Sequence, residues 1–437
     1  MQEIKNPKPN IVWFMIDSFR PRLFLPLDEN KPETFIDELV KRGAFFEQCI
    51  TAAPYTIASV HAMFTSFYPT VNKIDGWFKN TLDYLDKQVI TFTDILKSEG
   101  YFTSAFFPRR SEPYLPPYSF DFYQLVSSPD KFSINTYLAA NSPKFAIFHL
   151  EEVHDACCQN TGKFDKQKYY QSVKEASERV KYFYEKCSRE EDIIIITSDH
   201  GIRVIGEPAS ENHKDELVSG RFLTDKTIRT FFAIIAKDKI LPHTKIKELV
   251  RTIDIVPTIL DIAGLPILKG QGISLYPYLR EEKELPELCA FTVTGGMETS
   301  PWKPDSWSIR TPKWKFILTK TKKPFFKTVY RQELYNLEQD PAELANVIQN
   351  FPEIAKELFE KMKNVFLSNS KTVEDYYREK GFDYKKYLET RIYPFRLRLE
   401  HWLRTFFIFK LFLRPKVQLA VRWNKIKKLL RKLRKNH

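Results

Sequence analysis

Four short stretches of the chain are apolar at nearly every position: IVWFMI at 11–16, FAIFHL at 145–150, IIIIT at 193–197 and FFAIIA at 231–236. A half-exposed strand would alternate. An uninterrupted run bounded by polar turns predicts a strand buried on both faces, as in a mostly parallel sheet. Between these runs lie helical patterns, PETFIDELVKRG at 32–43, closed by Gly43, and YYQSVKEASERVKYFYEKC at 169–187. Strands alternating with helices predict a doubly wound α/β architecture. The body shows no repeats and no low-complexity linker.

Polar residues fall on this pattern at particular places. Asp17 follows the first run directly, Asp199 and His200 follow IIIIT, and His149 and His154 flank the end of FAIFHL. Open parallel sheets bind ligands beyond the carboxyl ends of their strands. Three strand ends carrying Asp, His and Asp-His therefore predict a metal site. Carboxylate and imidazole ligands suit Mn, Mg or Zn, with Ca disfavoured by the histidine. The segment PYTIASVHAMFTSFYP (54–69) crowds hydroxyls ahead of an apolar helical pattern. With a helix over 57–67, the Thr56 hydroxyl stands where backbone N–H groups and the helix dipole favour an anion. A divalent ion on Asp17, Asp199 and His200 would also bind Thr56 and lower its pKa, a constellation suited to attack on a phosphate ester. Thr56 reads otherwise as a helix N-cap, and Asp17 as a turn cap.

Length and composition leave room for one large α/β domain with an appendage, or for two domains, among 437 residues that are 43% hydrophobic. The net charge of +13 is lopsided. Residues 391–437 hold 15 Lys and Arg against the single acid Glu400, while the other 390 residues hold 53 bases and 54 acids. A neutral body argues against a nucleic-acid groove through it. The five cysteines have no C-x-x-C spacing and read as reduced thiols. Cys157 and Cys158, being adjacent, are assigned no chemistry. The first residues lack a signal-peptide layout, and no run reaches the roughly 20 apolar residues of a spanning helix. The expected location is cytoplasmic.

These residues resemble the alkaline phosphatase and sulfatase superfamily over most of 10–347. NIVWFMIDSFRPR (10–22) resembles its opening strand and metal acid, TIASVHAMFTSFYP (56–69) its nucleophile segment, and TSDHG (197–201) its second metal motif. RTIDIVPTILDIAGLP (251–266) with GQGISLYPYL (270–279), and ELYNLEQDPAELANV (333–347), are similar to its later segments. The resemblance implies an alkaline-phosphatase-like α/β fold with helices on both faces of a mostly parallel central sheet. It implies a catalytic domain over 1–279, a small C-terminal subdomain over 280–390 and a basic tail over 391–437.

Carried over position by position, the nucleophile is Thr56, rather than Ser59 or Ser66, and His154 is the strand-end histidine that meets the substrate or protonates the leaving group. True sulfatases place Cys or Ser at the first of these positions and Arg four residues on, for conversion to formylglycine; Thr56 and Val60 stand here instead. Thr resembles the nucleophile of phosphoglycerol and phosphoethanolamine transferases, which implies action on phosphodiesters or phosphonates through a phospho-threonine. The single opening acid, Asp17 followed by Ser18, fits a one-metal site. Ala58 replaces the usual Pro and Ser66 the usual Gly. His213, Lys214 and Arg20 are substrate-binding candidates, Arg20 reading equally as a solvated charge. His154 reads equally as a surface-loop residue, His149 as a core histidine and His61 as structural. Two other readings stay open: a plain phosphodiester or sulfuric-ester hydrolase, and a non-catalytic protein that keeps the fold and binds a membrane.

The tail has its own pattern. Leu419, Trp423, Ile426, Leu430 and Leu433 share one face of a helix, with Arg422, Lys425, Lys428, Arg431, Lys432 and Lys435 filling the rest. Trp and Leu opposite basic residues predict an anchor on an anionic membrane surface, here the inner face. Packing on the catalytic body and nucleic-acid binding are the competing readings. A lipid-linked or glycan-linked acceptor would fit the membrane surface.

Overall fold

The run IVWFMI forms strand β1 (Ile11–Ile16), buried at every residue. Val12, Phe14 and Ile16 enter one apolar layer, and Ile11, Trp13 and Met15 enter the other. Two covered faces explain why the run does not alternate. β1 lies between β5 (Lys144–Leu150) and β6 (Ile193–Thr197), parallel to both. In this computed structural model, residues 8–20, 33–74, 89–108, 115, 119–126, 132–158, 166–202, 210, 222–280, 283–294, 305–322, 328–368 and 371–389 are described. Among them the central sheet has nine strands. Beyond β5 come β3 (Phe102–Pro108) and β4 (Phe122–Val126), and beyond β6 come β8 (Phe232–Ile235) and β2 (Ala44–Ile50). β7 (Arg229–Thr230) and β9 (Thr244–Arg251) both pair with β2. The fold is the mostly parallel α/β sheet with helices around it that the sequence implies.

Three details depart from the sequence reading. FFAIIA yields β8, which runs antiparallel to both β6 and β2. A strand covered on both faces reads as apolar whichever way it runs, so direction was not encoded in the run. Gly43 does not close its helix, Phe35–Lys41, with a left-handed turn; the cap residue Arg42 stays right-handed. Gly43 is needed because a Cβ there would lie 2.2 Å from the Ile234 carbonyl oxygen of β8. The helix of the hydroxyl-rich segment spans Thr56–Thr65 rather than 57–67, with Tyr55 as its extended N-cap and Ser66 left-handed at its end.

A second, antiparallel sheet of four strands follows: β10 (Ala290–Thr294), β11 (Asp305–Arg310), β12 (Trp314–Lys322) and β13 (Thr328–Asn336). Phe291, Ile309, Phe316 and Leu334 pack on Ala355, Leu358 and Met362 of the helix Pro352–Ser368. This layer is joined to the first sheet by Val293 N–H donating to the Ala52 carbonyl (3.1 Å) and Thr292 Oγ1 donating to that of Thr51 (2.7 Å). No helix among the described residues is long and apolar enough to cross a membrane. The basic tail, 391–437, lies outside them.

Candidate metal and nucleophile site

Asp17 stands one residue beyond β1, its N–H donating to the Leu150 carbonyl of β5 at 2.9 Å. The chain turns there through Ser18, whose φ is +62°. The Ser18 hydroxyl donates to Asp17 Oδ1 (2.8 Å), and its N–H to Asp199 Oδ1 (3.2 Å). Asp199 and His200 follow the neighbouring parallel strand β6, so the register of β1 on β6 brings the two acids together. Asp199 Oδ1 also accepts from His200 N–H at 2.8 Å. His200 Nε2 lies 3.8 Å from Asp17 Oδ1 and 3.3 Å from Asp199 Oδ2. One ligand atom from each of the three residues falls within 4.8 Å of the others, and all three residues are buried.

The hydrogen bonds fix what these atoms offer. His200 Nδ1 is 2.7 Å from the Gly201 carbonyl oxygen. A carbonyl only accepts, so Nδ1 carries a proton and Nε2 is the ring atom that faces the acids. Burial pushes the Asp199 carboxyl above its ordinary value and the charge of Asp17 adds to that, while His200, His149 and the Thr56 hydroxyl pull the other way. Two carboxylates converging with an imidazole nitrogen out of water repel one another unless a cation sits among them. Asp199 Oδ2 is buried, with no hydrogen bond of good geometry from the described residues. The donor set therefore fits a divalent cation, with one imidazole and two carboxylates as ligands.

Thr56 is the first residue of its helix, directly after the N-cap Tyr55. Its Oγ1 lies 3.2 Å from His200 Nε2. Unprotonated, Nε2 can accept from this hydroxyl or bind a cation, not both. One turn on, the Ser59 hydroxyl donates to the Asp199 carbonyl at 2.5 Å and lies 2.8 Å from the Thr51 hydroxyl. The sequence reading gave Ser59 no role, yet this bond ties the helix of Thr56 to the turn of Asp199. Thr56, Asp17, Asp199 and His200 are thus brought into one buried group.

The remaining candidates separate. Arg20 is buried, which removes the solvated reading; its Nη1 donates to the Ile202 carbonyl at 3.4 Å. His154 sits on the helix Glu152–Cys158 rather than in a loop, half-buried, with Nδ1 3.9 Å from Asp155 Oδ1. His213 and Lys214 lie outside the described residues. His61 is buried on the Thr56 helix, with Nδ1 2.8 Å from the Ile57 carbonyl. His149, read first as a core histidine, is fully buried but has Nε2 3.7 Å from Asp17 Oδ2. Burial pushes its imidazole down to about 4. No signal in the sequence separated the two readings, since the adjacency of β1 and β5 is a tertiary fact.

An open, mostly parallel sheet with acids and a histidine at its strand ends, beside a hydroxyl that begins a helix, is the arrangement of a sulfatase-fold hydrolase. A family model described as Sulfatase matches residues 9–265, and the chain belongs to the sulfatase family, whose members are metal-dependent. A second model, N-sulphoglucosamine sulphohydrolase, C-terminal, matches residues 215–368. Arylsulfatase K of Gallus gallus is 22% identical, the match covering 87% of each chain. Arylsulfatase K of Homo sapiens is 22% identical over 86% of each. Among solved structures, a 2-O GAG sulfatase aligns with a TM-score of 0.65 and 17% identity, covering 85% of this chain and 94% of the other. The phosphonate monoester hydrolase of Agrobacterium radiobacter aligns at 0.63 and 15%, covering 83% and 96%.

Proposed function

We propose that this sulfatase-family hydrolase acts on phosphodiester or phosphonate esters through a covalent intermediate on Thr56, which is released to water or to a glycan or lipid-linked acceptor. The observation that carries the proposal is the Thr56 hydroxyl, on the first residue of its helix and 3.2 Å from the Nε2 of His200, which stands beside the two acids. A divalent cation held by Asp17, Asp199 and His200 would lower the pKa of that hydroxyl and take up charge on the non-bridging oxygens. The protein groups do the rest. The helix N-terminus faces the anionic centre. The Thr56 hydroxyl ionises, its proton passing to solvent, and Oγ1 bonds to phosphorus; the ester P–O bond breaks, and the leaving oxygen takes a proton from His154. Water or an acceptor hydroxyl then gives its proton to His154 and bonds to phosphorus, the Thr56 O–P bond breaks, and Thr56 is restored.

A second reading, hydrolysis of sulfuric esters, is favoured by the family match and by relatives named arylsulfatase. Against it, Thr56 and Val60 stand where the resemblance places Cys or Ser and Arg. The deciding experiment incubates wild type and Thr56→Ala with Mn²⁺ and, in turn, an aryl phosphodiester, an aryl phosphonate and an aryl sulfate, followed by accurate-mass peptide analysis and product release. A phosphoryl or phosphonyl adduct on the Thr56 peptide is expected, absent from the variant, whose turnover falls at least ~10³-fold. Turnover of the sulfate alone, or turnover undiminished in Thr56→Ala, would sink the covalent phospho-threonine.

A further inference from the structure

We propose that His149 is a positioning residue for the cation site, holding the Asp17 carboxylate so that Oδ1 faces the cation. The inference rests on the metal reading above. β5 runs parallel to β1 with His149 opposite Met15. Asp17 follows Met15 by two residues, which puts His149 and Asp17 on the same side of the sheet. Both side chains are buried, and Nε2 stands 3.7 Å from Asp17 Oδ2. The other oxygen, Oδ1, accepts from the Ser18 hydroxyl at 2.8 Å and faces His200 Nε2 at 3.8 Å. The carboxylate is therefore suspended between two imidazoles, one for each oxygen.

His149 is not a fourth ligand. Among the described residues, the ligand atoms that gather within 4.8 Å of one another belong to Asp17, Asp199 and His200. His149 meets that group through the outer oxygen of Asp17. At 3.7 Å the contact is longer than a hydrogen bond. With the proton on Nε2 it acts as a charge–dipole contact between N–H and a carboxylate, both side chains being buried. The Phe107 ring, with its centroid 5.5 Å from that of the imidazole, packs beside it. Partners of this kind orient ligand carboxylates, and removing one costs roughly 10–100-fold in metal affinity. The rival role is that of a core histidine packed on Phe107, for which any well-fitting apolar side chain would serve.

The test is Mn²⁺ titration calorimetry on the full-length protein stripped of metal, with the melting temperature of the metal-free form recorded alongside. His149→Phe keeps a buried ring and removes the donor; His149→Gln keeps an N–H. We expect His149→Phe to weaken Mn²⁺ binding about 10-fold or more with an unchanged or higher metal-free melting temperature, and His149→Gln to bind within about 3-fold of wild type. Wild-type affinity in His149→Phe overturns the proposal, as does an equal loss in both variants. If the Phe variant does not fold, His149→Leu, smaller and equally without a donor, is read in its place. Failure of both to fold, beside a folded Gln variant, assigns His149 to the core and also overturns it. A wild type that binds no Mn²⁺, Mg²⁺, Zn²⁺ or Ca²⁺ is a different failure, of the metal reading itself.

Discussion

His61 lies on the Thr56 helix, five residues beyond the hydroxyl, yet its chemistry is that of the core. Burial pushes its imidazole from 6.5 down to about 4, with the bond to the Ile57 carbonyl working the other way. Because the folded value lies below the unfolded one, the unfolded chain takes the proton more readily. Its contribution is complete above pH 6.5 and is lost as the pH falls toward 4. The loss amounts to roughly 3 kcal/mol. Melting temperatures measured down this range should fall more steeply for wild type than for His61→Leu; parallel curves would show that other groups carry the acid sensitivity. At this scale the site was largely legible. Asp17, Asp199 and His200 each follow an apolar run directly, and Thr56 precedes a helical one. His149 was not legible, because a histidine inside a buried strand looks the same whether it faces a carboxylate or a phenyl ring.

The Thr56–Thr65 helix is held at both ends. Its start is tied to Asp199 through Ser59. Its end is clasped at Ser66, whose φ is +57°, by the loop at 270–272. Gln271 N–H donates to the Ser66 carbonyl at 2.7 Å, Gly272 N–H to its hydroxyl at 3.1 Å, and that hydroxyl to the Ile253 carbonyl at 2.9 Å. A Cβ on Gly272 would lie 2.0 Å from the Ile253 oxygen and 2.6 Å from the Ser66 hydroxyl. Gly272→Ala should therefore cost about 3 kcal/mol by chemical denaturation. A change below about 0.5 kcal/mol would mean the clasp can open without strain. The motif GQGIS was visible as a family segment, but its task as a clasp for the Thr56–Thr65 helix needed the long-range contact. Strand direction was similarly hidden: β8 runs antiparallel inside an otherwise similar row of buried strands.

Across the whole molecule, the two sheets meet through a buried ionic cluster. Lys315 of β12 pairs with Asp225 and, at 2.7 Å, with Glu343; Arg310 of β11 reaches Asp225 at 3.1 Å. Asp225 N–H donates to Glu343 Oε2 at 2.5 Å. Burial opposes the charge of Asp225, but Arg310 and Lys315 outweigh it and hold the carboxyl well below its usual range. Burial instead pushes Glu343 up. Two residues on, the Thr227 carbonyl accepts the Gly201 N–H at 2.9 Å, so the second sheet supports the turn that follows His200. Lys315→Met leaves both acids facing a side chain without charge, and the denaturation free energy should fall by about 3–5 kcal/mol. A loss under about 1 kcal/mol would show that the acids reprotonate or rearrange without help from the lysine. What the sequence determined by itself was local or ordered along the chain: which runs are doubly buried strands, which residues follow them, the order of the family segments, and the basic character of 391–437. Those follow from periodicity and neighbouring residues. The tertiary structure decided the direction of β8, the approach of Ser59 to Asp199, the suspension of Asp17 between His149 and His200, and the burial of Arg20 and the ionic cluster. Each depends on which strands and loops become neighbours in space, and periodicity along the chain does not carry that information.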